Sequence, residues 1–104
     1  MRVYLSGAIT GNPAAAEQFK QKQHELETLG FEVFNPMSLG EGLTYREYMK
    51  KDLQELLQSD RICYVNDTSS SCGVLAEKTV AHVCGIRELS ALDLAKRGDI
   101  DLWR

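Results

Sequence analysis

Residues 2–7 read RVYLSG, a short, largely apolar run that ends in a serine and a glycine. Such a run is typical of a buried strand that feeds a glycine-containing turn. Outward from it, residues 31–34 form a second run that stops at Asn35-Pro36, where proline cannot continue a central strand. Residues 62–65 form a third, and 86–89, which include Arg87 and Glu88, a fourth. The sequence therefore predicts about four strands.

Helical periodicity fills the gaps between these runs. Asn12-Pro13 predicts a helix start and Gly30 its end, because Asn is a good N-cap, Pro is favoured at the first helical position and Gly accepts a left-handed backbone. Helices are also predicted over 45–59 and 74–84, with a short one within 90–104. The predicted apolar stripes are Ala15, Phe19, Leu26 and Leu29; Tyr45, Met49, Leu53, Leu56 and Leu57; and Val74, Ala81 and Cys84.

This alternation of strand and helix predicts the fold class. We expect one α/β domain over residues 1–104, a small doubly wound parallel sheet of about four strands in the order 2-1-3-4, Rossmann-like or flavodoxin-like, flanked by helices. In such sheets a ligand binds where the winding direction reverses, here between strands one and three. That places residues 7–11 beside residues 66–73.

Composition restricts the partners. The formal charge of -3 comes without a basic cluster, which argues against binding duplex nucleic acid and favours a small molecule. No apolar run suits a signal peptide or a membrane span, so we expect a cytoplasmic protein without a membrane partner. Cys63, Cys72 and Cys84 are predicted to be reduced, with Cys72 a buried packing thiol, and with only two histidines no metal site is predicted.

Two carboxylates fall on apolar stripes. Glu77 lies three residues after Val74, and Asp52 lies within the stripe of the preceding helix. Burying an unpaired carboxylate is costly, so each needs partners or a function. One alternative for Glu77 is a first-turn glutamate that interacts with the helix dipole, and for Asp52 a boundary residue paired with Arg46 or Lys51.

A carboxylate pair facing one small cleft suits chemistry at a glycosidic carbon. One carboxylate attacks or stabilises the oxocarbenium-like centre, and the other supplies or orients a proton. The start of its helix would keep Glu77 ionised, whereas burial would raise the pKa of Asp52 and suit it to proton transfer.

Three motifs carry a family resemblance: VYLSGAITG at 3–11; Asp52-Leu53 followed by Leu56 and Asp60; and Ser71-Cys72-Gly73-Val74 with Glu77 and Ala81, which is similar to the pattern Ser-x-Gly-Val-x-x-Glu-x-x-x-Ala. In these residues the chain resembles the nucleoside 2-deoxyribosyltransferase-like superfamily. That superfamily includes the 2'-deoxynucleoside 5'-monophosphate N-glycosidases and small relatives that are often carried by phages, in which case the host cytoplasm is the expected location. The resemblance covers most of residues 2–86.

The resemblance implies a role for each matched position. Glu77 would be the nucleophile at C1' of the deoxyribose and Asp52 the assisting acid. Tyr4 would line the base and sugar pocket. The loop of Gly7, Ala8, Ile9, Thr10 and Gly11 would lie against the sugar. Ser71, Gly73 and Val74 of the third motif would complete the substrate site. It also implies no metal or organic cofactor, and a homodimer or larger homo-oligomer in which a neighbouring chain completes the pocket.

Position 71 bears on the substrate. Transferases of this superfamily that act on free deoxynucleosides typically have a carboxylate there, whereas the monophosphate glycosidases have a serine, as this chain does in Ser71. Where those glycosidases have a serine and an arginine in the first loop, this chain has Ala8 and Thr10. Ser71 either indicates a substrate with a 5'-phosphate or only caps its helix. Because the arginine is absent, a different nucleotide or a nucleotide with a modified base also remains a possible substrate.

The predicted function is cleavage or exchange of the N-glycosidic bond of a deoxynucleoside or its 5'-monophosphate. The alternatives are a non-catalytic nucleotide-binding or nucleotide-sensing module and a plain interaction domain. The pair Asp52 and Glu77 favours the enzyme, because a binder of anionic nucleotides gains nothing from two buried carboxylates.

Overall fold

A computed structural model of the chain describes residues 1–66 and 71–96. Its four strands form one sheet in the order β2-β1-β3-β4, and all three neighbouring pairs are parallel. The strands are β1 Arg2–Ser6, β2 Glu32–Phe34, β3 Arg61–Tyr64 and β4 Arg87–Glu88. The predicted α/β fold and strand order are confirmed.

Four α-helices connect and flank these strands. They are α1 Ala15–Thr28, α2 Tyr45–Leu57, α3 Cys72–Val83 and α4 Ala91–Ala95, and a 3-10 turn spans Pro36–Leu39 after β2. The short helix predicted after residue 89 is confirmed as α4, while the rest of that predicted segment, 97–104, lies outside the described residues. The serines at 69 and 70 also lie outside them.

The predicted start of α1 is wrong by two residues, since the first helical residue is Ala15 and not Pro13. The side-chain oxygen of Asn12 accepts a hydrogen bond from the backbone N–H of Ala14 at 3.1 Å, and its carbonyl accepts one from Ala15 at 3.1 Å. Asn12 therefore closes a turn ahead of the helix instead of capping it. The predicted end is confirmed, because Gly30 has a φ of 94°, which only glycine adopts without strain.

The two faces of β1 supply the two halves of the core. Val3 and Leu5 pack on the face covered by α1, with Phe19 and Leu26. Tyr4 points to the opposite face, together with Leu56 of α2, Ile62 of β3 and Ala81 of α3. Since side chains alternate along a strand, Ser6 also points to this second face. The sheet face beneath α2 and α3 therefore carries the hydroxyl groups of Tyr4 and Ser6.

Three residues predicted in apolar stripes are exposed. Tyr45 is 61% exposed because it opens α2 beyond the sheet, and Leu57 is 55% exposed because it is rotated about 100° around the helix from the buried Leu56. Cys84 is exposed because it follows the last residue of α3, just before the chain turns at Gly85.

Candidate functional site

A cleft of about 870 Å³ opens beyond the carboxyl ends of β1 and β2. Four segments form its walls: the loop after β1, the segment after β2, the first two turns of α2, and the start of α3. The lining residues are Gly7, Ala8, Ile9, Thr10, Pro36, Met37, Gly40, Glu41, Tyr45, Tyr48, Met49, Asp52, Ser71, Cys72, Gly73, Val74 and Glu77. A cavity of this size accommodates a small organic molecule.

Glu77 is the most constrained side chain in this cleft. It is 5% exposed, and the Tyr4 hydroxyl donates a hydrogen bond to its Oε2 while the Ser6 hydroxyl donates one to its Oε1 at 2.8 Å. Both donors come from β1, at positions two residues apart and hence on one face of the sheet. The fold thus fixes both carboxylate oxygens of Glu77 from the side of the sheet.

Burial raises the pKa of Glu77, and the hydrogen bonds from Tyr4 and Ser6 oppose that rise. The sequence analysis attributed the ionisation of Glu77 to the dipole at the start of α3, and that attribution is wrong. Glu77 is the sixth residue of the helix and lies in its second turn, whereas the dipole acts within the first. The same position excludes the first-turn alternative, so the two β1 hydroxyls are what favour ionisation.

Asp52 is also buried, at 7% exposure, but its surroundings differ. Within residues 1–66 and 71–96, its Oδ1 has no hydrogen-bond partner, and neither Arg46 nor Lys51 forms an ion pair with it. Burial, together with the negative charge of Glu77, raises the pKa of Asp52 to about 7. The prediction that burial raises this pKa is confirmed.

Tyr4 does not line the cleft, contrary to the expectation. It is fully buried because its position in β1 points it beneath α2 and α3, where its ring stacks on Phe34 with the centroids 5.6 Å apart. Burial and the negative charges of Glu77 and Asp52 raise its pKa, so its hydroxyl keeps its proton and acts as a donor. Tyr4 therefore supports the carboxylate from behind.

The loop after β1 contributes Gly7, Ala8, Ile9 and Thr10 to the cleft, whereas Gly11, predicted as a substrate-binding residue, is not among the lining residues. Asn66, two residues after the end of β3, holds this loop in place. Its Oδ1 accepts a hydrogen bond from the Ala8 N–H at 2.8 Å, and its Nδ2 donates to the Ala8 carbonyl at 3.1 Å. The loop is thus fixed to the neighbouring strand.

Gly7 allows this close approach. A Cβ at position 7 would lie 2.6 Å from Cγ2 of Val65 and 2.9 Å from Oδ1 of Asn66. We therefore expect Gly7→Ala to lower the free energy of unfolding by about 1–3 kcal/mol, because the loop must move off β3. Urea unfolding measures this change, with Ala8→Gly as the control at the neighbouring position. Equal stability of Gly7→Ala and the wild type would show that the loop tolerates separation from β3.

The start of α3 forms the opposite wall. The Ser71 hydroxyl accepts a hydrogen bond from the Val74 N–H at 3.2 Å, so Ser71 caps the helix and also lines the cleft. Gly73 lies against α2, since a Cβ there would be 3.1 Å from the Tyr45 hydroxyl. Cys72, predicted as buried, is exposed and lines the cleft, because it occupies the first turn of α3 rather than its packed face.

The cleft includes eight residues that the sequence reasoning did not assign to it: Pro36, Met37, Gly40, Glu41, Tyr45, Tyr48, Met49 and Cys72. One signal was available, because residues 45, 48, 49 and 52 share one helical face with a carboxylate at its end. The segment 36–41 offered no such signal. Its side chains reach the cleft only because a 3-10 turn follows β2 directly.

No three side chains of His, Cys, Asp or Glu are grouped to hold a metal ion in the described part of the chain. None of the helices described there is long and apolar enough to cross a membrane. What the cleft offers chemically is a fixed carboxylate and a second carboxyl group that titrates near neutral pH.

Residues 1–89 match the family model described as "Domain of unknown function (DUF4406)", and the chain belongs to this family. No curated protein sequence matches it.

Solved structures show the same fold. A 2-deoxyribosyltransferase from the bacterium Bacillus psychrosaccharolyticus superposes with a TM-score of 0.66 at 18% identity, over 94% of this chain and 82% of that one. The CMP N-glycosidase BcmB of Clostridium botulinum superposes with a TM-score of 0.65 at 18% identity, over 97% and 86%. The predicted resemblance to the nucleoside 2-deoxyribosyltransferase-like superfamily is thus confirmed in the fold.

Proposed function

We propose that the chain cleaves or exchanges the N-glycosidic bond of a 2'-deoxynucleoside or its 5'-monophosphate, with Glu77 as the nucleophile at C1' and Asp52 as the proton donor. One observation carries the proposal: two buried carboxyl groups face one cleft, and their surroundings suit them to different tasks. Glu77 is held by two donors, whereas Oδ1 of Asp52 has no partner in the described part of the chain. A buried polar atom without a partner is costly unless a ligand supplies one.

Glu77 supports the first step by its orientation and its charge. A lone pair on one of its oxygens forms a bond to C1' as the bond from C1' to the base nitrogen breaks, and that electron pair leaves with the base. Hydrogen bonds from Tyr4 and Ser6 fix the carboxylate and favour its ionised form against burial. A nucleophile positioned before the substrate arrives loses little conformational freedom in the reaction.

Asp52 supports the same step as an acid. With a pKa raised to about 7, a substantial fraction of Asp52 is protonated near neutral pH and can protonate the departing base. The resulting carboxylate then accepts a proton from the second nucleophile that attacks C1' and releases Glu77. If that nucleophile is water, the sugar is released, and if it is a free base, the base is exchanged.

The similar structures support this proposal through their fold. Their names describe a 2-deoxyribosyltransferase and a CMP N-glycosidase, and both descriptions concern bonds between a sugar and a base. The proposal takes from them only the class of reaction, at a bond between a sugar and a base, and does not take the specific substrate of either protein. We also propose that the chain forms a homodimer or a larger homo-oligomer, which light scattering of the purified chain would check. We further propose that it needs no metal or organic cofactor, and unchanged activity in the presence of a chelator would check the metal.

Chromatography tests the proposal directly. The purified chain is incubated with each of the four deoxynucleosides and each of their 5'-monophosphates, with and without a second free base, and the bases are quantified. Release or exchange that Glu77→Ala abolishes is the expected result. If no substrate reacts yet calorimetry detects nucleotide binding, the protein is the non-catalytic binding module instead.

Ser6 offers a finer test of how Glu77 is kept ionised. Ser6→Ala removes a hydrogen bond that lowers the pKa of Glu77, so this pKa is expected to rise. Because less Glu77 is then ionised at a given acidic pH, the acidic limb of the kcat/KM profile moves to higher pH. Ser59→Ala is the control, since Ser59 is a buried serine whose hydroxyl donates to the Glu55 carbonyl. A lower rate with an unmoved acidic limb would mean that Ser6 only supports packing.

A further inference from the structure

The charged side chains that line the cleft all have the same sign. They are Glu41, Asp52 and Glu77, and no lysine, arginine or histidine is among the described lining residues. The cleft is therefore acidic, although the whole chain has a formal charge of only -3.

This charge matters for a substrate that carries a phosphate. A phosphate monoester has a charge close to -2 at neutral pH and is repelled by carboxylates at short range, most strongly where water is displaced. The start of α3 provides only a partial positive charge of about half a unit. One of its N–H groups, that of Val74, is already bonded to the Ser71 hydroxyl. The helix start thus offsets only part of the charge of Glu41 and Glu77, to which Asp52 adds whenever it is ionised.

We propose that the substrate of this cleft is a free nucleoside, uncharged at its 5' end, and that nucleoside 5'-phosphates are discriminated against by charge. This inference rests on the proposed function and narrows it. Ser71 then receives a 5'-hydroxyl, for which a serine is as suitable a hydrogen-bond partner as for a phosphate. The anionic cleft also favours the cationic, oxocarbenium-like centre that develops at C1'.

The remaining walls fit the base of a nucleoside. Pro36, Met37, Tyr45, Tyr48 and Met49 present apolar and aromatic surface, and the Tyr48 hydroxyl is already committed to the Gly40 carbonyl at 2.6 Å. Methionine and aromatic side chains suit flat, polarisable rings. The cleft thus has an apolar side wall and an acidic floor. This combination matches an uncharged nucleobase attached to a sugar.

The test compares each deoxynucleoside with its own 5'-monophosphate on the wild-type chain. The quantity compared is kcat/KM where base is released, and equilibrium affinity by calorimetry where it is not. We expect the nucleoside to be favoured by about tenfold or more at low salt, with the ratio falling as salt screens the repulsion. A preference for the monophosphate that depends on Glu77 would overturn this inference and leave the proposed function intact. No binding or turnover of any nucleoside or nucleotide would overturn both.

A charge introduced at the rim gives a second test. Thr10 is exposed and lines the cleft, so Thr10→Arg adds the missing cation, and Thr10→Gln adds comparable polar length without charge. Thr10→Arg is expected to raise the preference for monophosphate over nucleoside by about tenfold, with little change for Thr10→Gln. Glu41→Gln is expected to move the preference the same way by a smaller factor. Equal effects of Thr10→Arg and Thr10→Gln would show that shape, not charge, sets the preference and would overturn the inference.

Discussion

Glu77→Gln is expected to lower the rate of base release by about 10⁴-fold or more while leaving the fold intact. Glutamine has nearly the same shape as glutamate but lacks the negative charge that attacks C1'. Its single oxygen can still accept a hydrogen bond from either Tyr4 or Ser6, so the side chain keeps part of its anchoring. The loss of rate therefore reports the nucleophile and not a collapsed cleft.

A matched variant and a second substitution sharpen this experiment. Glu27→Gln makes the same chemical change at an exposed position on α1, where the carboxylate only accepts a 3.3 Å hydrogen bond from Gln23, and its rate should equal that of the wild type. Glu77→Asp keeps the charge but withdraws it by one methylene, so an intermediate loss is expected. Base release is followed by chromatography and folding by circular dichroism. A wild-type rate in Glu77→Gln would exclude Glu77 as the nucleophile.

Much of the fold was predictable because it depends on local patterns. Short apolar runs that alternate with helical stripes leave a parallel sheet as the compact solution, and right-handed crossovers then fix the order 2-1-3-4. Gly30 is a clear example, since a glycine after a helical stripe predicts the left-handed residue observed there. The burial of Asp52 and Glu77 also followed from their places in these stripes.

The contents of the cleft were less predictable, because they depend on which face of a strand meets which helix. Tyr4 illustrates this, since the apolar run RVYLS does not reveal that its hydroxyl meets Glu77, 73 positions later, under a helix. Ser6 was given no role for the same reason, although its hydroxyl is the second donor to Glu77. The wall formed by 36–41 requires the three-dimensional path of the chain after β2.

Asp52→Asn is expected to increase stability at pH 8 while lowering base release by about 10²–10³-fold. The rate falls because asparagine cannot supply a proton to the departing base. The stability rises because the wild type buries a carboxylate whose Oδ1 has no partner within the described residues, and asparagine carries no charge. Opposite effects of one substitution on rate and stability are typical of a functional group held at a cost to the fold.

The pH dependence of that gain follows from the pKa of Asp52. The folded chain raises it from 3.8 to about 7, so the folded state binds this proton more tightly than the unfolded state does. Stability from this group is therefore full below about pH 4, is lost progressively up to about pH 7, and stays lost above it. Since one pKa unit corresponds to about 1.4 kcal/mol, a rise from 3.8 to about 7 corresponds to a loss of about 4 kcal/mol, which Asp52→Asn should avoid.

Urea unfolding of wild type and Asp52→Asn between pH 4 and pH 8.5 measures this difference. The difference between their unfolding free energies reports the titration of Asp52 together with its coupling to Glu77, and it should be smallest near pH 4 and largest above pH 7. A difference that is constant with pH would mean that Asp52 is ionised throughout, held by a partner such as water or a second chain. Asp52 would then act as a fixed negative charge facing C1', and the proton for the base would have to come from solvent.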